Sequence, residues 1–192
     1  MSFYSKTLEA SYAKQIDREL RASHAGETGA VWIYRGAIFA EFILSFFNIM
    51  RSTGATKVFI QEHLKTEKQH LNLFETEMPL FRGSFILPLW VAAGFITGFV
   101  PRLLGKNWFF YTIYSVEKFV DTHYEKQCSK LVMQPNPPPN VINRFKRCQM
   151  DEQHHRDEAQ SQIATKVTLP MKLWGRLVRV GSSAAVTIAK II

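Results

Sequence analysis

Cysteine is scarce in this sequence, and we expect no secretory leader at its N-terminus. The 192 residues include two cysteines, Cys128 and Cys148, which lack the spacing of a redox or zinc pair. This scarcity excludes a disulfide-stabilised secreted scaffold, and we expect both thiols to be reduced and buried in a cytosolic or matrix-side protein. Residues 1–12 are polar and mixed, without the apolar segment of a signal peptide or the arginine enrichment of a transit peptide. We therefore interpret the sequence as a bacterial protein or a mature chain.

Acidic residues are missing from the C-terminal part of the chain. The net charge is +8, and no acid follows Glu158. This acid-free segment is rich in Leu, Val and Ile, and it carries five basic residues: Lys166, Lys172, Arg176, Arg179 and Lys190. Such a composition favours an anionic membrane surface as the partner. No nucleic-acid-binding motif is found, so we expect no nucleic acid partner.

Charge is also missing from residues 83–100, which are 18 consecutive uncharged residues. By length this run is a borderline transmembrane helix. Pro88, Gly94 and Gly98 interrupt it, which argues against a straight span. We predict that residues 83–104 form a helix, or two half-helices, in contact with a membrane. The alternative is a buried hairpin in the core of a soluble bundle.

Two short segments of the sequence read alike, at residues 67–70 and 152–155. Each places a glutamate and a histidine at positions i and i+3, which lie on one face of a helix about one turn apart. Each is preceded in the chain by a lone glutamate within an apolar stripe. An ionised carboxylate in a buried stripe is costly unless it is paired or bound to a metal. The doubled pattern predicts six metal ligands: Glu27, Glu67, His70, Glu117, Glu152 and His155.

This ligand set is typical of carboxylate-bridged di-iron and di-manganese proteins. In these proteins two helices of a four-helix bundle each contribute one Glu, and the other two each contribute a Glu-x-x-His pair. Four carboxylates would balance the charge of two divalent ions, so a bundle core could hold all four glutamates. Oxygen and nitrogen donors favour iron or manganese over a thiolate site. A pair of iron or manganese ions is therefore expected, and two iron ions are the cofactor that the family resemblance described below implies.

The fourth helix contains a second acid–histidine pair, rotated by one residue. Asp151 and His154 are also three residues apart, but we assign Glu152 and His155 as ligands because they repeat the residue types of the first pair. Asp151 is then expected to hydrogen-bond a ligating histidine from the opposite half, since such carboxylates fix the imidazole tautomer.

Other polar residues lie near the predicted ligands on their helices. His24 is one turn before Glu27. We expect it to contact a ligand without binding the metal itself, or to lie in the apolar core. Asp121 and Tyr124 lie one and two turns past Glu117. They could hydrogen-bond the ligands, or be a partly exposed aspartate and a packing tyrosine.

The helix around Glu67 has a polar face opposite its apolar stripe. We place Glu62, His63 and Lys65 on this solvated face and expect His63 to be exposed. Around Glu27, glycines at 26 and 29 predict a close approach of another backbone or of a cofactor, because glycine costs a helix roughly 1 kcal/mol relative to alanine.

Periodicity predicts a single all-α domain over residues 1–192, with the apolar segment inserted between two helix pairs and a basic amphipathic helix over 168–192. The predicted helices run from about Glu9 to Arg51, Ala55 to Met78, Lys106 to Met133, Val141 to Thr165 and Pro170 to Ile192. Since both pairs must supply one metal centre, the segment between them cannot carry the chain across a bilayer.

Six segments together resemble the demethoxyubiquinone hydroxylase family: His24-Ala25-Gly26-Glu27, Glu67-Lys68-Gln69-His70, Leu87-Pro88-Leu89-Trp90, Leu103-Leu104-Gly105-Lys106, Val116-Glu117 with His123-Tyr124, and Asp151-Glu152 with His155. The resemblance implies a ferritin-like four-helix bundle and a membrane-associated di-iron monooxygenase. It implies hydroxylation of the ring of a demethoxyubiquinone-type intermediate in ubiquinone biosynthesis, with O2 and reducing equivalents. It also implies metal roles for the same six residues and places His123 and Tyr124 on the substrate side.

The expected partners are a lipid-soluble quinone, O2, a membrane surface and other ubiquinone-biosynthesis proteins, and homo-oligomerisation stays open. The expected location is the cytoplasmic face of a bacterial inner membrane, or the matrix face of the mitochondrial inner membrane in a eukaryote. The alternative function is a ferritin-like ferroxidase or iron-binding protein without an organic substrate.

Overall fold

The all-α prediction is confirmed. The computed structural model describes residues 3–48, 54–77, 83–134, 137 and 139–191. Within these residues the chain forms six helices: α1 (Phe3–Phe46), α2 (Gly54–Glu77), α3 (Leu87–Leu104), α4 (Lys106–Val132), α5 (Pro139–Ser161) and α6 (Leu169–Ala189). Helix α1 packs against α2, α4 packs against α5, and the two pairs meet to form the bundle. Helix α3 packs mainly on α1, and α6 covers α4 and α1.

The bundle has two apolar clusters, separated along the helix axes. The first is built around Tyr34, Phe59 and Phe110, and the second around Phe74 and Phe145. On each of the four bundle helices, the predicted ligands lie between residues that belong to the first cluster and residues that belong to the second. The polar layer is therefore enclosed by apolar packing above and below, which holds its side chains in a water-poor environment.

Glycines allow α3 to lie against the backbone of α1. A Cβ at Gly98 would be 1.8 Å from the carbonyl oxygen of Ile33, and a Cβ at Gly94 would be 2.4 Å from that of Gly29. Only glycine permits this approach, and a single continuous α3 results. The prediction of one helix is correct and that of two half-helices is wrong. Another backbone does approach Gly29, but it is Gly94 that permits the approach. A Cβ at Gly26 or Gly29 would meet nothing within 4 Å, so the prediction that these two glycines make room for a close contact is wrong.

Within the described residues, two helices are long and apolar enough to cross a membrane, by length and composition: Ala13–Phe46 of α1 and Leu87–Leu104. In α3 only 22% of the apolar window is buried inside the protein. The alternative of a fully buried hairpin is therefore wrong, because the segment forms a single helix and most of its residues are not buried by the described part of the chain.

Two polar contacts hold α6 against the bundle, one in the first half of the helix and one at its C-terminal end. The indole nitrogen of Trp174 donates to Thr112 Oγ1 at 2.9 Å, and the ammonium of Lys190 lies 2.7 Å from Glu19 Oε2. The outward side of α6 carries a row of exposed apolar residues at helical spacing: Leu169, Leu173, Leu177 and Val180.

Helix ends differ from prediction by a few residues. Helix α5 ends at Ser161 instead of Thr165, because Asn107 at the start of α4 binds the following segment through Ala164 N at 3.0 Å and Thr165 Oγ1 at 2.9 Å. The predicted ends at Arg51, Met78 and Ile192 lie outside the described residues.

Candidate metal centre

Four helices bring the six predicted ligands together in the polar layer. They form two groups that could each hold a metal ion: Glu27, Glu67, His70 and Glu152, and Glu67, Glu117, Glu152 and His155. Within each group, one ligand atom from every residue lies within 4.8 Å of the others. All six side chains are buried, with relative exposures between 0% and 5%. Two residues, Glu67 and Glu152, belong to both groups.

Glu152 lies between the two histidines. Its Oε1 is 3.0 Å from His70 Nδ1, and its Oε2 is 3.0 Å from His155 Nδ1. His70 Nδ1 is also 3.6 Å from Glu27 Oε2, and His155 Nδ1 is 3.2 Å from Glu67 Oε1. Each imidazole therefore directs its Nδ1 into the cluster of carboxylates.

Burial and mutual repulsion dominate the electrostatics of these carboxylates. Burial, with the charge of Glu152, raises the pKa of Glu67 to about 8. The same causes, burial first, raise the pKa of Glu117 well above its usual value. For Glu152, burial opposes ionisation, but hydrogen bonds from His155 and His70 outweigh it and lower the pKa to about 2. Without bound cations, protons offset the excess negative charge of this layer.

The central carboxylate of Glu67 provides the test of whether a metal fits. Its Oε1 is approached by His155 Nδ1 at 3.2 Å, outside hydrogen-bond geometry, and its Oε2 has no partner within the described part of the chain. A buried carboxylate with so little compensation is costly, and a divalent cation on those oxygens would offset that cost. The donor set contains only carboxylate oxygens and imidazole nitrogens, which are ligands that iron and manganese accept. The residues present therefore fit a dinuclear metal centre of this kind.

Carboxylate and phenol groups surround the cluster. Asp151 Oδ2 lies 3.0 Å from His70 Nε2, the nitrogen that faces away from the cluster. The phenol of Tyr124 donates a hydrogen bond to Glu27 Oε1. Asp121, in contrast, is bound by Arg156 at 2.6 Å and by Gln149 at 2.8 Å, so it joins α4 to α5.

His24 and His123 lie beside the cluster and contact other groups. His24 is buried, and its Nε2 is 3.9 Å from Glu75 Oε1. Burial lowers its pKa more than the charges of Glu75 and Glu27 raise it. His123 lines a cavity described below, and burial lowers its pKa to about 4.

The interpretation of His63 as an exposed residue is wrong. Its side chain is 3% exposed, Nδ1 lies 3.2 Å from Tyr34 OH, and Nε2 lies 2.9 Å from Glu158 Oε2. Burial lowers its pKa to about 3, so the ring is neutral. The sequence carried the signal: His63 is four residues before Glu67, and residues at i and i+4 share a helix face.

A cavity of about 470 Å³ connects the cluster to the protein surface. Its inner wall includes the carboxylates of Glu27 and Glu117, and its outer wall is formed by α3 and α6. Leu89, Ile96 and Leu177 line the cavity and are each more than half exposed. The cavity therefore opens between the exposed apolar sides of α3 and α6.

Raised pKa values of buried groups make the stability of the metal-free protein depend on pH. The pKa of Glu67 is raised to about 8. Burial lowers the pKa of His155, but the neighbouring carboxylates of Glu152 and Glu67 outweigh burial and raise it to about 10. A group whose pKa is raised by folding contributes stability below its unfolded pKa, and this contribution is lost as pH rises through the folded pKa. The Tm of the metal-free protein should therefore fall between pH 6.5 and pH 9.

Thermal unfolding followed by circular dichroism measures this fall, at roughly 2–4 °C for each kcal/mol in a protein of this size. Glu67→Gln should flatten the part of the slope below pH 8, while His155 continues to contribute. The metal-loaded protein should show little slope, because cations replace the protons. A Tm of the metal-free protein that rises over this range would contradict the electrostatic account.

Comparison with known proteins agrees with this geometry. The chain is 30% identical over 189 residues to mouse "NADPH-dependent 3-demethoxyubiquinone 3-hydroxylase, mitochondrial", covering 96% of this chain and 81% of that protein. It is 31% identical to the rat protein of the same name, with the same coverage. It is also 31% identical over 151 residues to "3-demethoxyubiquinol 3-hydroxylase" of Rhodospirillum rubrum, covering 78% of this chain and 66% of that protein. The profile of the family described as "Ubiquinone biosynthesis protein COQ7" matches residues 14–189. With that match across nearly the whole chain, and with the paired glutamate–histidine layer in its bundle, the protein belongs to this ubiquinone biosynthesis family.

Proposed function

We propose that this protein is a di-iron monooxygenase that hydroxylates the ring of a demethoxyubiquinone-type intermediate in ubiquinone biosynthesis. The observation that carries the proposal is the cavity that leads from the exposed apolar sides of α3 and α6 to the carboxylates of Glu27 and Glu117. A ferroxidase needs only a path for ions, whereas this path is lined mainly by apolar side chains. It suits an organic substrate that is dissolved in lipid.

In this proposal, two iron ions would be held by Glu27, Glu67, His70, Glu117, Glu152 and His155, of which Glu67 and Glu152 belong to both groups of ligands. When bound in the reduced state, the iron pair supplies the activation of O2. The protein contributes the surroundings of that chemistry. Asp151 holds His70 through its outer nitrogen, and Tyr124 donates to Glu27, so two ligands are oriented before a metal binds.

The cavity wall also offers sites for the polar atoms of a quinone ring. Trp90 Nε1 and His123 Nε2 are buried and have no hydrogen-bond partner among the described residues, and both residues line the cavity. The indole N–H can donate to a ring oxygen, and the neutral His123 can donate or accept. An unpaired polar atom in an apolar wall is costly, so a substrate that pairs with these atoms is favoured and is oriented by them. The apolar side chains around them exclude water from the reacting ring.

We assign the exposed apolar sides of α3 and α6 to a membrane surface from which the quinone enters the cavity. The basic residues of α6, Lys172 and Arg176, are exposed beside the row of Leu173 and Leu177, an arrangement that favours anionic lipid. A mitochondrial or bacterial inner membrane would supply such a surface.

The function is tested in cells that lack this protein. They should accumulate a demethoxy-quinone and lack the finished ubiquinone, and the wild-type gene should restore it. Glu117→Ala should not restore it, because one group of ligands loses a member. The matched control is Glu125→Ala, which removes an exposed glutamate from the same helix and should complement fully. In each strain the quinones are extracted from the cells and identified by mass spectrometry.

The purified, reconstituted protein gives a direct test with 18O2. One labelled oxygen atom should enter the quinone ring at each turnover, with reducing equivalents supplied. Label from water, or full complementation by Glu117→Ala, would overturn the monooxygenase proposal and favour the ferroxidase alternative.

A further inference from the structure

We propose that His63 is a positioning residue that orients His155, and that it acts on only one of the two metal subsites. The subsite concerned contains Glu67, Glu117, Glu152 and His155. This inference rests on the proposed function, since it assigns His155 as a metal ligand.

The faces of the His63 ring are both occupied. Its centroid lies 3.8 Å from that of Phe59, at an interplanar angle of 32°, and 4.0 Å from that of His155, at 27°. Two rings this close to one centroid cannot share a face without overlapping. Phe59 and His155 therefore lie on opposite faces, and His63 is stacked between them.

The edges of the ring are occupied as well. Glu158 Oε2 lies 2.9 Å from Nε2 and Tyr34 OH lies 3.2 Å from Nδ1. A carboxylate can only accept, so Nε2 carries the hydrogen, and the neutral ring accepts at Nδ1 from the phenol. Held on two faces and two edges, the His63 ring has one orientation and one tautomer.

This fixed ring determines the plane available to His155. The His155 imidazole must lie nearly parallel to His63, and in that plane its Nδ1 is 3.0 Å from Glu152 Oε2 and 3.2 Å from Glu67 Oε1. Rotation of the His155 ring would lose the stacking contact and turn Nδ1 away from the carboxylates. His63 thus directs the donor atom of His155 without touching a metal.

His70, the histidine of the other group of ligands, is oriented by a hydrogen bond and not by stacking. His70 is fixed through Asp151, which lies 3.0 Å from its outer nitrogen. A carboxylate on that nitrogen makes an imidazole a stronger donor, whereas stacking on a neutral ring only orients it. We therefore expect the two subsites to differ, with tighter binding at the His70 subsite and weaker binding at the His155 subsite.

The test is a titration of the metal-free, full-length protein in detergent with Co2+. Binding is followed by calorimetry and by the visible absorption of Co2+, which reports coordination geometry. The wild type should bind two equivalents with unequal affinity. His63→Ala should weaken the second equivalent by roughly 10-fold or more, the usual effect of removing a group that supports a metal ligand, and should leave the first unchanged. Asp151→Asn should weaken the first equivalent instead.

Glu158 provides variants that leave the stacked rings in place. Glu158→Leu leaves Nε2–H without an acceptor and should weaken the second equivalent alone. Glu158→Gln keeps an acceptor oxygen and should restore it. Gln160→Ala is the matched control, because Gln160 is exposed on the same helix as His155, and both equivalents should be retained. A purely structural role would change Tm without selecting one equivalent or distinguishing Gln from Leu.

The outcomes separate this inference from the proposed function. A wild-type protein that binds fewer than two equivalents would contradict the dinuclear centre itself. If both equivalents of Co2+ bind as tightly to His63→Ala and Glu158→Leu as to the wild type, the positioning role is overturned. The same holds if both equivalents weaken equally. In either case the dinuclear centre itself stands.

Discussion

Replacement of Glu67 by alanine should remove both iron ions from the purified protein. Glu67 belongs to both groups of ligands, and its two oxygens have no other hydrogen-bonding role among the described residues. Without it, each group keeps three of four side chains and the bridge between them is lost. Iron should fall from about two ions per chain to near zero, since both groups lose a ligand at once. Elemental analysis of the purified variant measures this loss.

Alanine substitution of a glutamate that belongs to only one group of ligands should lower the iron content by half. Glu27 and Glu117 each belong to one group only, so Glu27→Ala or Glu117→Ala should leave about one ion per chain at the intact group. Glu62→Ala is the matched control, because Glu62 is exposed on the same helix as Glu67, and it should keep full iron content.

Loss of metal must be separated from loss of fold. Helical content, measured by circular dichroism, should stay close to wild type in Glu67→Ala. Full iron occupancy in a folded Glu67→Ala protein would show that the ligand assignment is wrong.

A second large effect is expected for membrane binding. Leu173→Glu combined with Leu177→Glu should move the protein from the membrane fraction into solution. Both leucines are at least 60% exposed on the outward side of α6, so the change should not disturb the bundle. A charged side chain costs roughly 2.5–3.5 kcal/mol at the centre of a bilayer. Even half of that cost at each position would shift the partition by roughly 100-fold, since 1.4 kcal/mol is a factor of ten.

Sedimentation with vesicles of anionic phospholipid measures the effect. The control places the same charges on exposed apolar residues of other helices, Val132→Glu with Met150→Glu, and this variant should still sediment. Phe95 and Phe99 on α3 are less suitable sites, because their ring centroids lie 5.9 Å and 5.7 Å from that of Phe39 and charges there would also disrupt the packing of α3 on α1. Binding that survives the α6 substitutions would show that another surface contacts the membrane.

The sequence by itself determined which residues form the polar layer. Helical periodicity places Glu27, Glu67 and Glu117 in apolar stripes, and a buried carboxylate needs a compensating charge. The repeated Glu-x-x-His pattern then indicates that two helix pairs meet at one centre. These inferences need only local spacing, because a helix fixes which side chains share a face.

The tertiary structure decided which neighbours meet across helices. The position of Glu152 between two imidazoles, the pairing of Asp151 with His70, and the stacking of His63 on His155 all depend on how the bundle helices are rotated and shifted relative to one another. Periodicity identifies a buried face but not the side chain that it meets. The position of His63 relative to Glu67 already placed it on the buried face, but its partners Tyr34 and Glu158 are on other helices, 29 and 95 residues away in sequence. The cavity is likewise a product of the fold, because its walls come from α3 and α6, and only their packing on the bundle leaves an apolar opening above the carboxylates.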